Sequence, residues 1–222
     1  MKKSILTIAV SLTIGFGAYA QKTTDEGVVI NGVKWATCNV DKPGTFAATP
    51  ESGGYYYQWN RKKGYDDTTT TFPSWDYSIP QGTTWEKAND PSPKGWRVPT
   101  QAEIHSLCDE TKVKNEWVIQ NGVGGRKFTD KATGASIFLP AVGKRYASLN
   151  RNIKVGTGYQ SIPYNSFGEL AKGGGAYWSS TACRKRDAYF LNFADKFYGK
   201  KTGIQEYYNT RIDGLSIRPV KE

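Results

Sequence analysis

Lys94-Gly95-Trp96-Arg97-Val98-Pro99-Thr100-Gln101-Ala102-Glu103-Ile104 carries a loop into a short strand and then starts a helix. Thr100 at the N-cap with Glu103 three residues on forms a capping box, in which hydroxyl and carboxylate each accept an orphan backbone amide. Ile104, Leu107 and Cys108 then repeat at i, i+3 and i+4. That spacing gives one apolar face and predicts a helix of about three turns.

Outward from this point the periodicity is strand-like. Val28-Val29-Ile30 and Val33-Lys34-Trp35 flank Asn31-Gly32, a two-residue hairpin signal, and Glu116 to Gln120 leads into a second one, Asn121-Gly122. Lys127-Phe128-Thr129 and Ser136-Ile137-Phe138-Leu139 bracket a longer hairpin loop. Tyr177 to Ser180, Ala188 to Phe193 and Leu215 to Arg218 read as late strands, the last close to the chain end. Two stretches, Lys62 to Asn89 and Lys144 to Gly175, read as long loops of the kind that carry function. No linker or internal repeat divides the chain.

The helix start belongs to an ordered set of short motifs. Asn31-Gly32-Val33-Lys34-Trp35-Ala36-Thr37 and Gly54-Tyr55-Tyr56-Tyr57-Gln58-Trp59-Asn60 precede it. Phe138-Leu139-Pro140-Ala141-Val142-Gly143, Ala176-Tyr177-Trp178-Ser179-Ser180-Thr181 and Gly214-Leu215-Ser216-Ile217-Arg218-Pro219-Val220 follow it. In this order, over roughly residues 28–222, the set resembles the Fibrobacter succinogenes major paralogous domain family of exported bacterial domains. The P-T-x-A-E helix start, the W-S-S strand and the G-x-S-x-R ending also look like the formylglycine-generating, sulfatase-modifying fold, itself related to C-type lectin-like domains. The resemblance implies an α+β, C-type lectin-like fold: mostly antiparallel strands, one or two short helices, long loops, and termini paired in one sheet. It also implies that the long loops of the second half carry ligand binding. Many relatives hold a cysteine before the G-W-x-V-P segment and another near the C-terminal R-x-V, where this chain has Ser92 and Pro219.

Residues 1–20 read as a secretory signal. Lys2 and Lys3 form a positive n-region, Ile5 to Ala18 an apolar core, and Ala18-Tyr19-Ala20 a cleavage site after Ala20. The expected mature protein is therefore one domain over residues 21–222, exported to the periplasm, the cell surface or the medium. No membrane insertion of the mature chain is expected. The compartment permits disulfides, but Cys38, Cys108 and Cys183 are an odd number. Cys108 reads as a buried inert thiol, and Cys38 with Cys183 remains open as a pair.

Formal net charge is +10, of which Lys2 and Lys3 leave with the signal. Residues 21–140 balance, with 14 basic and 14 acidic side chains. Residues 141–222 hold 14 basic and 6 acidic ones, so the whole excess lies in the half with the late loops. A face of one sign attracts polymers of the other. The candidate ligand-binding residues are Lys144, Arg145, Tyr146, Arg151, Lys154, Tyr159, Arg184, Lys185 and Arg186. Tyr164 and Tyr177 are interleaved with them. In an exported protein the matching partner is an anionic polysaccharide or cell-surface glycan, with tyrosines stacking on sugar faces. The competing reading is a solvated basic surface. Nucleic acid is not expected, because no recognised binding motif is present.

Catalytic constellations are missing. His105 is the single histidine, so any His-based metal or triad site would have to use it. Formylglycine-generating enzymes use a late, closely spaced cysteine pair, and here only Cys183 lies in that region. The E-P-N and W-N-D calcium motifs of C-type lectins are absent; Asp66, Asp67 and Asp76 are the alternative oxygen donors and read more simply as solvated. The expectation is a non-enzymatic binding module without metal or cofactor. The alternative is a protein-binding adhesin or a component of a surface assembly.

Overall fold

Asn31 and Gly32 adopt φ of 46° and 81°, the left-handed pair that a tight hairpin requires. They join β1 (Val28–Ile30) to β2 (Val33–Trp35), as the sequence predicts. In the computed structural model the described residues are 22–66, 75–145, 147, 151–155, 158–162, 174–197, 200–201 and 204–222. Of these, 151–155, 158–162, 196–197, 200–201 and 204–206 are described by their backbone path.

The Tyr55-Tyr56-Tyr57 run supplies β3 (Tyr56–Gln58), which pairs with β4 (Gly64–Tyr65). Gly54 precedes it at φ 66°, and a Cβ there would collide with the Val40 carbonyl. β5 (Trp96–Arg97) then leads into α1 (Gln101–Cys108). The capping box is present: Thr100 Oγ1 accepts from the Glu103 amide at 3.3 Å, and Glu103 Oε2 accepts from the Thr100 amide at 2.7 Å. Arg97 grips the same carboxylate with two nitrogens at 2.6 and 2.8 Å. Ile104 and Leu107 are buried and Cys108 is half-buried. The helix has eight residues, shorter than the expected three turns. It stops because Asp109 is extended and its carboxylate accepts from the Thr111 amide at 2.9 Å, a local turn that competes with another helical turn.

A meander follows: β6 (Val113–Gln120), β7 (Val123–Asp130) and β8 (Ser136–Pro140), with Asn121-Gly122 at its first turn. The predicted Lys144–Gly175 loop contains a hairpin, β9 (Arg151–Val155) with β10 (Gly158–Ile162). Next come β11 (Gly174–Ala182), β12 (Asp187–Ala194), the short pair β13 (Lys196–Phe197) and β14 (Lys200–Lys201), and β15 (Ile204–Thr210). β16 (Gly214–Leu215) pairs with β3, and β17 (Val220–Lys221) lies between β2 and β5. The described N-terminal hairpin and the chain end therefore share one sheet, in the order β1-β2-β17-β5. Among the described residues the class is α+β, dominated by antiparallel strands with one α-helix. No helix among the described residues is long and apolar enough to cross a membrane.

The sheet β11-β12-β15 separates two cores. Tyr177, Leu191 and Phe193 join α1 and the meander on one side. Ala176, Trp178, Ala188 and Phe190 join Tyr57, Trp59, Leu215 and Ile217 on the other. Alternation with period two explains the division, and apolar residues on both faces explain why β11 is buried continuously over its first six residues.

Arg218 ties the chain end to the start. It is 1 % exposed and donates to the Ala36 carbonyl at 3.2 Å, the Thr37 carbonyl at 2.5 Å and Asn39 Oδ1 at 2.8 Å. Backbone bonds Ala36 N to Pro219 O and Val40 N to Ile217 O, both 2.9 Å, run alongside. None of the three cysteines forms a disulfide, so these hydrogen bonds make the junction without one.

Candidate functional site: a basic and aromatic sheet edge

The turn between β11 and β12 carries Arg184, Lys185 and Arg186, all exposed. The Cys183 and Arg184 amides donate to the Asp187 carbonyl at 3.0 and 3.2 Å, closing the turn. Beside it runs β15, the outer strand of its sheet, in a register that sets Thr210 opposite Asp187 and Tyr208 opposite Tyr189. This brings Tyr207 and Tyr208, 52 % and 40 % exposed, next to the turn. Their rings stack at 5.5 Å and 14°, and the Arg184 guanidinium sits 4.4 Å from the Tyr208 ring centre. Tyr207 also meets the edge of buried Phe190 at 6.5 Å, which anchors the exposed rings to the core.

A buried cation holds the turn from below. Arg211 is 2 % exposed and lies 4.3 Å from the Trp59 ring centre. Its guanidinium donates to the carbonyls of Pro80, Gly82, Arg184 and Asp187 at 2.8, 3.0, 2.8 and 3.2 Å. Its own amide donates to the Arg186 carbonyl at 2.9 Å. Burial pushes the guanidinium below its ordinary value, against the Asp187 charge. It remains a cation, because an arginine titrates so far above neutrality.

Lys144 and Arg145, expected among the presented basic groups, are instead built into the interior. Arg145 is 2 % exposed, lies 5.3 Å from the Tyr56 ring and donates to the Asp66 carbonyl. Lys144 donates to Asn209 Oδ1 at 2.5 Å and lies 3.9 Å from Asp213. Burial pushes the Lys144 ammonium down and the Asp213 carboxyl up, the second despite hydrogen bonds from Ala147 and Asn209. The reason is geometric: the Arg145 amide and carbonyl pair with Gly214 at 2.7 and 2.8 Å, which draws this segment onto β16. Tyr177 is likewise a core residue, 2 % exposed, its hydroxyl donating to the Pro140 carbonyl at 2.6 Å.

Arg151, Lys154 and Tyr159 fall on the β9-β10 hairpin, where the register sets Tyr159 opposite Lys154 and Ile162 opposite Arg151. Tyr146 and Tyr164 lie outside the described residues. Of the nine expected residues, the structure thus groups Arg184, Lys185 and Arg186. It adds Tyr207, Tyr208 and the supporting Arg211, which the sequence reading missed. The adjacent tyrosines in Ile204-Gln205-Glu206-Tyr207-Tyr208 were the available signal for a strand there.

Elsewhere, His105 is exposed on α1. Asp76 is paired with Arg61 at 2.8 Å and accepts from the Ser78 amide at 2.8 Å. Compared with family models, curated proteins and solved structures, the chain matches none of them.

Proposed function

We infer that this is an exported, C-type lectin-like binding domain of the major paralogous type. It acts without catalysis and recognises anionic cell-surface glycans through the turn of Arg184, Lys185 and Arg186 and the rings of Tyr207 and Tyr208. The observation that carries the reading is the Arg184 guanidinium lying 4.4 Å over Tyr208, with Tyr207 stacked alongside and both rings exposed. A planar fork grips sulfate or carboxylate with two parallel hydrogen bonds, while Lys185 and Arg186 add charge and the rings offer apolar faces to sugars. Arg211 fixes the turn, so the cations are presented with little ordering cost.

The test is retention of the purified protein on immobilised heparin, compared with a cation exchanger of matched charge density. Elution at clearly higher salt from heparin, lost in Arg184→Glu/Lys185→Glu, supports the reading; equal elution from both refutes it. A protein-binding adhesin is the second reading, favoured by the exposed tyrosine pair beside arginines, side chains enriched at protein contact centres. Cross-linking on intact cells that tolerates high salt would select it.

A further inference from the structure

Cys38 is fully buried and forms no disulfide. Its sulfur is met by the Lys22 amine, Nζ to Sγ 3.3 Å. The amine is held in place by Asp25 Oδ2 at 3.2 Å and Thr37 Oγ1 at 3.4 Å. Asp25 in turn accepts from the Thr37 hydroxyl at 2.7 Å and the Gly27 amide at 2.8 Å. The Lys22 carbonyl accepts from the Phe46 amide at 2.7 Å, so the backbone is pinned as well as the side chain.

A second feature lies beside the same residue. The Arg218 guanidinium straddles residue 38, bonded to the Thr37 carbonyl on one side and Asn39 Oδ1 on the other. Its charge bears on Cys38, and its Nη2 is a buried donor with no acceptor. The Lys22 side chain is one-third exposed, so the amine meets solvent while the Cys38 sulfur is buried.

We propose that Lys22 and Cys38 are a covalent modification site, joined by a reversible N–O–S bridge whose oxygen comes from dioxygen. The Lys22 ammonium first gives a proton to solvent; the amine and the thiol then react with one dioxygen to give the N–O–S link and one water. One N–H and the S–H bond break, and N–O and O–S bonds form. Nitrogen and sulfur each lose two electrons, and these four reduce the two oxygen atoms, one kept in the bridge and one released in water. The 3.3 Å gap suits a single inserted atom; a direct N–S bond would need the buried sulfur to move much further. Closure would staple the segment from Lys22 onto the core, where hydrogen bonds and the Asp25 ion pair now hold it. This proposal is independent of the basic edge.

The experiment is exact-mass spectrometry of the full protein purified in air, intact and after proteolysis, with and without dithiothreitol. The expected result is a species heavier than the reduced chain by one oxygen less two hydrogens. It localises to a cross-linked peptide pair containing Lys22 and Cys38 and disappears on reduction. It is lost in Lys22→Arg, which keeps the charge beside Asp25 but lacks the primary amine, and in Cys38→Ser. Circular dichroism checks that both variants fold. An unmodified mass after prolonged exposure to air overturns the proposal. So does a loss of two hydrogens alone (a direct N–S bond or a disulfide), or gain of oxygen on Cys38 with Lys22 still reactive toward an amine reagent.

Discussion

Replacing Arg211 with methionine removes four charge-assisted hydrogen bonds and one cation–aromatic contact while keeping an unbranched apolar stem. The carbonyls of Arg184 and Asp187 keep backbone donors, from Asp187 and from Cys183 with Arg184. Those of Pro80 and Gly82 have Arg211 as their donor among the described residues. The buried Pro80 carbonyl, once stranded, costs about 1–3 kcal/mol, whereas Gly82 is exposed and its carbonyl can turn to water. Loss of the contact with Trp59, 4.3 Å away, adds about 1 kcal/mol. Relief from burying a guanidinium offsets part of the gross total. The expected net loss is about 2 kcal/mol, a sizeable share of the 5–15 kcal/mol that a domain typically has. Urea unfolding followed by tryptophan fluorescence should show a lower midpoint with unchanged slope, and the melting temperature should fall by about 4–8 °C. Arg211→Lys should lose most of the same amount, because one ammonium cannot serve four acceptors on a planar fork. Either variant should also elute earlier from heparin, because the turn carrying Arg184 loses its support. Unchanged stability within about 1 kcal/mol for Arg211→Met would refute this reasoning and show that desolvation cancels the whole network.

Other perturbations separate the remaining elements. Arg184→Glu/Lys185→Glu should lower heparin elution salt while leaving the melting temperature unchanged, since both side chains are exposed. Thr100→Ala should cost about 1 kcal/mol through loss of the cap, measured by the same unfolding assay. Burial alone would raise the Glu103 carboxyl, but hydrogen bonds from Arg97 and Thr100 outweigh it and hold the group below its usual range. Its stabilisation is therefore present above the unfolded value of about 4.3 and lost as pH falls through the folded one, so Glu103→Gln should flatten the acid limb of the stability profile. Asp213 has the opposite sign: burial raises it, so its contribution is complete below the unfolded value of about 3.9 and declines as pH rises through the folded one. The stability of Asp213→Asn relative to the parent should therefore improve as pH rises above about 4.

The local signals were legible in the sequence because short-range chemistry fixes them. Thr100 and Glu103 cap a helix that needs only the intervening turn, and Asn31-Gly32 and Asn121-Gly122 sit in the left-handed conformations their turns demand. Period-two patterning located most of β11 and β12, but the expected last strand Leu215 to Arg218 is split: β16 (Gly214–Leu215) pairs with β3, and β17 (Val220–Lys221) closes the N-terminal sheet. The helix ended a turn early, because the Asp109 side-chain turn outweighed the apolar spacing at Cys108.

The fate of the basic residues was a tertiary decision. Sequence determined that the excess charge lies in residues 141–222, but not which cations face water. Arg145, Arg211 and Arg218 are less exposed than Trp75, Trp85 or Trp96, and each is held by carbonyl or amide oxygens from segments far away in the chain. Those oxygens converge only after the sheets assemble, so no local pattern marks such an arginine. Pairing of β15 with β12 likewise brings Tyr207 and Tyr208 beside Arg184 across more than twenty residues of chain. Residue chemistry and local turns were written in the sequence; which cations became core and which became surface was decided by long-range strand pairing, because burial belongs to the assembled sheets and not to any one segment.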